Sequence, residues 1–411
     1  MPAGTPATDP GAAAVEFAAA LVGVDSVNPG LVPGAAGEAS VVDLLRRRLA
    51  GSGFDTEVLC PPGHPDRPSL IAWSPGPAGA PTVLLNGHVD TVGVAGMPEP
   101  FAARIDGHRL LGRGACDMKG GVAGLVAAAE AVRARGIPLG VVLTLVADEE
   151  DASLGTEAIL ARLPALGLVP QVAVVAEPTW LANATSHRGY ALVEVDLRGR
   201  GAHTSMPHEG VNALAHLGRL LVAVEEAAEA VAARGGALLA SVGRGGSAPF
   251  TVPDTAQVVI ERRTVPGEPS ATALTEVQAL LDRMRAADPS VDATARLSLA
   301  REAWALDPVG AGARLGSLVT DGLTRALADE PDLAPATDFA APYWMESALL
   351  EAAGIPTLVC GPAGGGMHAV DEWVDLRQVR AYAVALADAL GAYAAAHLDD
   401  PRGERPVPHP G

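Results

Sequence analysis

Aromatic residues are scarce in this chain: Phe, Trp and Tyr together make up 3 % of 411 residues. Hydrophobic residues still account for 49 %, so a core has to be assembled mainly from Ala, Val and Leu. Cysteine is also rare. Cys60, Cys116 and Cys360 lie far apart without C-x-x-C spacing, which argues against a disulfide framework. Basic residues are outnumbered, with 29 Lys and Arg against 48 Asp and Glu, for a formal net charge of −19. With no long Lys/Arg run, that balance argues against nucleic acid and anionic membranes as partners. Long apolar runs are missing too: Glu or Arg interrupts every Ala/Val/Leu stretch well before the roughly 18 residues a membrane span needs. The N-terminus lacks a basic segment followed by an apolar one, so no signal peptide is expected and a reducing cytoplasm is the default location.

What is present is an alternation of short apolar runs with Ala-rich helical stretches. Residues 1–11 and 399–411 are rich in Pro and Gly and are expected to be disordered tails. Helices are expected over Ala12–Val22 and Glu38–Ala50. Beyond them, strands are expected at Ser69–Trp73, Thr82–Asn86, Gly140–Ala147, Val172–Ala176 and Thr357–Cys360, with helices at Gly120–Arg135 and Thr156–Leu163 between them. Continuous apolar strands alternating with helices predict an α/β sheet with buried parallel strands. The stretch 186–299 reads differently. Ala191–Leu197 and Ala256–Arg262 alternate as half-exposed strands, and helices are expected at Val211–Arg234 and Ala271–Ala287. The simplest organisation is an α/β domain in two parts, 12–185 and 300–398, interrupted by a smaller α+β domain at 186–299.

In open α/β sheets functional groups collect at the carboxyl ends of the strands, and here histidines and acids stand there. Thr82–Asn86 runs into Gly87-His88-Val89-Asp90, where alternation puts His88 and Asp90 on one side. A carboxylate beside a histidine is the usual support of a metal ligand, although H-x-D alone also suits a structural role. Asp117 occupies the third glycine position of what would otherwise be a dinucleotide fingerprint, G-R-G-A-C-D from Gly112. A carboxylate there repels phosphate, so that reading is rejected, leaving a functional acid or a plain helix cap. Gly140–Ala147 ends in Asp148-Glu149-Glu150-Asp151. Solvent or bound cations must relieve the repulsion of these four acids, and adjacent side chains can divide metal binding from proton handling. Val172–Ala176 ends in Glu177, and Thr357–Cys360 leads through a glycine loop to His368. Nitrogen and oxygen ligands together suit Zn²⁺, Co²⁺ or Mn²⁺.

Seven segments carry a family resemblance. GHVDTV (87–92), GRGACDMKGG (112–121), ADEED (147–151), EPT (177–179), GAHTSMPHEGVNA (201–213), ERRTVPGE (261–268) and GPAGGGMHAVDEWV (361–374) occur in the order found in the M20 metallopeptidases. That family includes acetylornithine deacetylase, succinyl-diaminopimelate desuccinylase and carboxypeptidase G2, and the resemblance covers roughly residues 15–395. It implies an α/β/α zinc-hydrolase catalytic domain interrupted by a ferredoxin-like α+β dimerisation or lid domain. It implies two divalent metal ions, Zn²⁺ by preference and Co²⁺ or Mn²⁺ otherwise. His88 and Glu177 would bind one ion, Glu150 and His368 the other, and Asp117 would bridge them. Asp90 would hold His88, and Glu149 would be the general base. His203 would stabilise the oxyanion, often in a partner's active site, so a homodimer is expected. Asn212 and Arg263 match positions that contact substrate in the family.

Two departures bear on substrate. Ala248–Asp254 lacks the Asn that often precedes Val-Pro-Asp, and Asp338–Trp344 lacks an arginine that often binds a substrate carboxylate. Arginine clamps carboxylates bidentately, so its absence disfavours a succinyl-diaminopimelate substrate. The expected activity is hydrolysis of the amide of an N-acyl amino acid, acetylornithine deacetylase-like. A dipeptidase or carboxypeptidase of the same family, or a non-catalytic ligand-binding member, remain as alternatives.

Overall fold

A computed structural model describes residues 9–335 and 339–399. Residues 1–8 and 400–411 of the tails expected at 1–11 and 399–411, and Asp338 of the Asp338–Trp344 segment lacking arginine, lie outside the described residues. Backbone contacts divide the chain into two compact units. The first comprises 9–185, 306–335, 339 and 345–399, and the second comprises 186–305 and 340–344.

The first unit opens with α1 (Pro10–Val22) and α2 (Ala39–Gly51). Residues 10 and 11, expected in the tail, are helical. Pro10 sits in the first turn, where its missing N–H costs nothing, and the Asp9 carboxylate accepts the Gly11 N–H at 2.9 Å. There follow β1 (Asp55–Leu59), β2 (Ser69–Ser74), β3 (Thr82–His88), α3 (Gly120–Ala134), β4 (Gly140–Val146), α4 (Leu154–Arg162) and β5 (Val172–Val175). The sheet has the order β1-β2-β4-β3-β5, extended beyond β5 by Thr357–Val359. β4, β3, β5 and Thr357–Val359 are mutually parallel, as their unbroken apolar sequences predict. β1 and β2 instead pair antiparallel, which the short run at Ser69–Trp73 could not disclose.

The core follows from composition. With few aromatics, close packing is reached by bringing backbones near one another. Helix α3 is buried on nearly every side, and a Cβ at Gly121 would stand 2.2 Å from the Ala176 carbonyl oxygen. That glycine lets the first turn of α3 press against the end of β5.

The second unit runs β6 (Gly189–Arg198), α5 (Ala213–Ala232), β7 (Ala237–Gly245), β8 (Thr255–Thr264), α6 (Thr272–Ala287) and β9 (Asp292–Arg301), the βαββαβ order of a ferredoxin-like fold. Its sheet is antiparallel in the order β7-β8-β6-β9. Val193, Val195, Val258 and Ile260 project from one face onto Leu217, Leu220 and Val224 of α5 and Val277 and Leu281 of α6. The unit extends past the expected edge at residue 299 and takes in the return segment 340–344. The reason is aromatic: Trp344 packs edge-on against His187 and Tyr190, and its indole N–H donates to the Glu302 carbonyl at 3.1 Å.

Two outcomes follow. Gly121→Ala should cost about 1–3 kcal/mol through overpacking, whereas Gly218→Ala, on exposed α5 with nothing within 4 Å of its Cβ, should be neutral or slightly stabilising. Denaturant midpoints at constant slope read the difference. His187, stacked on Trp304 with ring centroids 5.6 Å apart, is held by burial near a pKa of about 4, below its ordinary 6.5. The folded state therefore binds fewer protons than the unfolded one. Stability should be full above pH 6.5 and fall toward pH 4, by on the order of 3 kcal/mol. His187→Phe should flatten that part of the stability–pH curve.

Candidate active site

Parallel pairing of β3 with β4 and β5 brings three strand ends together: His88, the acids at 148–151, and Glu177. Asp117 arrives from a tight turn at Ala115–Lys119, entered through Gly114 at φ +78°; Asp117 and Met118 are non-helical and joined by a cis peptide bond. Helix α3 begins only at Gly120 and Asp117 makes no capping bond to it, so the cap reading falls. His368 follows Gly366 (φ +68°) in a loop that itself turns left-handed, at φ +62°.

The imidazole Nε2 of His88 lies 2.9 Å from one oxygen of Asp117 and 3.9 Å from Glu177. The other Asp117 oxygen is 3.3 Å from Nε2 of His368, which is 3.2 Å from Glu150. The donors thus form two groups, His88–Asp117–Glu177 and Asp117–Glu150–His368, each with its ligand atoms within 4.8 Å of one another, and Asp117 belongs to both. Burial opposes charge throughout, yet Asp117 is held low by the two histidines on either side of it. Burial and nearby Asp117 push Glu150 up to about 7. Burial and neighbouring acids raise Glu149 and Glu177 well above the carboxylate range. Asp117 and Glu150 raise His368 to about 10, and His88, although fully buried, is raised by Asp117 and Asp90. Carboxylates crowded this way share protons or accept a cation. Glu150 Oε1 is buried with no hydrogen-bond partner, and two imidazoles with three carboxylates are a donor set suited to divalent cations.

Asp90 sits beneath His88. The His88 Nδ1–H meets the Asp90 carbonyl at 3.1 Å and its carboxylate at 3.6 Å. The same carboxylate accepts from the backbone N–H groups of Glu149 and Glu150, both at 3.2 Å, and from Asn28 at 2.8 Å. One ligand orientation and the course of the acidic loop are therefore set by one side chain. The expectation that all four acids at 148–151 face solvent or cations needs correction. Asp148 is fully buried and paired with the Arg67 guanidinium at 2.7 Å, which also holds buried Glu38, while Asp151 is exposed. Glu346, buried beneath the site, accepts from Asn86 and Thr156, and burial lifts its carboxyl to about 7.

Sequence patterning does not single out several of these residues. Asn28 and Arg67 come from irregular segments with no pattern to mark them, and Glu38, at the start of α2, reads as an ordinary helix-end acid. Arg113 and Glu372 did carry a signal, since both lie inside motif segments, at 112–121 and 361–374. Glu372 is buried and accepts from Arg113 and from the backbone of the turn bearing Asp117.

Among the remaining predicted residues, His203 lies exposed in the second unit, its Nδ1 bonded to the Ser205 hydroxyl at 2.7 Å. Asn212 caps α5 by accepting the Ala215 N–H at 3.0 Å. Arg263 is engaged by Glu261 and lies 5.2 Å above the Tyr190 ring. Cys116 is buried and its thiol is pushed well up by burial, which suits packing rather than nucleophilic chemistry. No helix among the described residues is long and apolar enough to cross a membrane.

The profile of peptidase family M20/M25/M40 matches residues 84–392. The N-acetyl-L-citrulline deacetylase of Xanthomonas campestris pv. campestris is 31 % identical over 392 residues, covering 91 % of this chain and 96 % of that protein. A succinyl-diaminopimelate desuccinylase of Sphingopyxis alaskensis is 34 % identical over 221 residues, 51 % of this chain and 56 % of that protein, so the chain spans little more than half the length of that relative. A solved dipeptidase structure from Saccharomyces cerevisiae superposes with a TM-score of 0.72 at 17 % identity, covering 96 % of this chain and 99 % of that one, a likeness of fold. The chain belongs to the M20/M25/M40 peptidase family.

Proposed function

We propose that this protein hydrolyses the amide bond of an N-acyl amino acid, in the manner of an acetylornithine deacetylase, at a centre that holds two divalent metal ions. The observation that carries the reading is Asp117, shared between two donor groups whose other members are His88 and Glu177 on one side and Glu150 and His368 on the other. Those residues would hold the ions, Zn²⁺ by preference, with Co²⁺ or Mn²⁺ as substitutes. When bound, such ions polarise the scissile carbonyl and lower the pKa of water at the site.

The chain's own groups supply the rest. Glu149 stands beside Glu150, and its backbone N–H is tied to Asp90. It is proposed to take the proton of the attacking water and return it to the leaving nitrogen. Asp90 keeps Nε2 of His88 turned toward Asp117 by occupying the Nδ1 side of the ring. His203 is proposed to stabilise the developing oxyanion, in trans within a homodimer. Asn212 and Arg263 are proposed substrate contacts. Asn212 can serve while capping α5, because its amide nitrogen is not part of the capping bond. Arg263 has to exchange its Glu261 partner for a substrate carboxylate. The acyl-amino-acid assignment also leans on the full-length relative, a deacetylase by name. Three free cysteines, two of them buried, suit a reducing cytoplasm.

Purified protein should lose turnover on chelation and regain it with Zn²⁺ or Co²⁺, assayed on a panel of N-acetyl, N-succinyl and longer N-acyl amino acids together with dipeptides. Glu149→Gln should lower kcat by roughly 10²–10⁴-fold with metal content unchanged. Turnover that survives complete metal removal, or undiminished activity in Glu149→Gln, would defeat the mechanism. Preference for dipeptides would move the assignment to a dipeptidase, and two bound metals without turnover on any member of the panel would favour a ligand-binding role.

A further inference from the structure

The two donor groups are supported in different ways. His88 and Glu177 stand at the ends of adjacent parallel strands, and their spacing is fixed by the sheet. Asp117 and His368 stand on two separate loops, 112–119 and 361–372, and a ligand on a loop is no better placed than what pins the loop. One side chain pins both. The Glu372 carboxylate accepts four N–H groups: Arg113 Nη1 at 2.6 Å and Gly114 N at 3.1 Å on one oxygen, Cys116 N at 3.0 Å and Asp117 N at 3.2 Å on the other. Arg113 then donates its second Nη to the carbonyl of Ala369, the residue after His368, at 3.0 Å. Gly112 N–H adds a bond to the Glu372 carbonyl at 3.2 Å. Glu372 and Arg113 are both almost completely buried, so the charge-assisted pair is shielded from water and salt.

We infer that Glu372 and Arg113 are positioning residues that clamp the Asp117 loop to the His368 loop and thereby set cation affinity selectively at the Asp117–Glu150–His368 group. The inference rests on the two-metal reading above. Removing the clamp releases three backbone N–H groups of the Asp117 turn and frees the carbonyl next to His368, while the sheet pairing behind His88 and Glu177 is untouched. Asp117 keeps its contact to His88 at the end of β3, so the loss falls mainly on the ion that depends on His368. A general loss of fold would weaken both groups together, and that difference separates positioning from bulk stability.

The test is a Co²⁺ titration of metal-free protein, followed by visible absorption of the bound ion and by equilibrium dialysis, on wild type, Glu372→Ala, Glu372→Gln and Arg113→Met. Wild type should bind two ions. Glu372→Ala should keep one within about threefold of its wild-type affinity and weaken the other by roughly 10–100-fold, the usual effect of losing the partners of a metal ligand. Glu372→Gln, which retains an oxygen acceptor of the same reach, should fall between the two. Where Glu372→Ala does not fold, Arg113→Met decides, because the three backbone bonds to Glu372 survive in it while the Arg113–Glu372 ion pair and the link to Ala369 are removed. Equal weakening of both ions, or two ions bound as in wild type by folded variants, overturns the clamp and leaves the two-metal reading standing. A wild type that binds fewer than two ions overturns both.

Discussion

Three carboxylates and two imidazoles occupy a few ångströms at the ends of the central strands, and Asp117 stands between the histidines, 2.9 Å from one and 3.3 Å from the other. Like charges at that spacing in a partly buried cleft cannot all ionise without compensation. The raised carboxyls of Glu149, Glu150 and Glu177 express burial first and the neighbouring acids second. Much of the surrounding structure exists to hold the conflict in place. The parallel sheet fixes one end, the glycine-rich turns admit Asp117 and His368, and a buried polar layer beneath keeps each group turned inward.

That buried layer is mixed in charge for a reason. Asp90 and Asp148 lie directly behind the ligands, and both are acids that the site already has in excess. Asn28 donates to both of them through one amide nitrogen, and Arg67 neutralises Asp148 together with Glu38. A buried carboxylate left without partners costs several kcal/mol, so the network lets Asp90 stay ionised, its pKa held below the ordinary value by His88, Asn28 and the backbone despite burial. An ionised Asp90 faces the His88 ring with acceptors to spare for the two N–H groups of the acidic loop.

The legibility of these parts differs with their periodicity. Long apolar runs such as Gly140–Val146 and the one-face alternation of Gly189–Arg198 announced strands of the right kind within a residue or two. The five ligand candidates stand at strand ends or after glycine-rich segments, so strand-end logic gathers them from sequence alone. Antiparallel β1 and the hairpin at Arg104–Leu111 were silent because short polar strands carry no period. The supporting residues were harder still. Asn28 and Arg67 reach the site across long sequence separations from loops, and nothing local marks a residue whose partner is 62 or 81 positions away. Glu372 and Arg113 show the intermediate case: both sit inside motifs, yet the nearby histidine and aspartate drew the chemical reading and their own pairing did not.

Charge also constrains how a substrate is held. At −19 the chain repels anions at long range, and an N-acyl amino acid carries a carboxylate. Screening confines that repulsion to about 8 Å at physiological ionic strength, so capture has to be won by positive groups close at hand. The bound ions of the proposed centre are one source. Arg263 is another candidate, but it is already engaged by Glu261 and Tyr190 within its own unit. The pair is only part-buried and so worth little more than a surface pair, and the proposed exchange of Glu261 for a bidentate substrate carboxylate would discriminate against neutral amides, which offer the guanidinium no charge in return. A cation held by a weak internal partner, as Arg263 is by Glu261, is open to exchange with a small anionic group, and the acidic balance of the whole chain disfavours long polyanions.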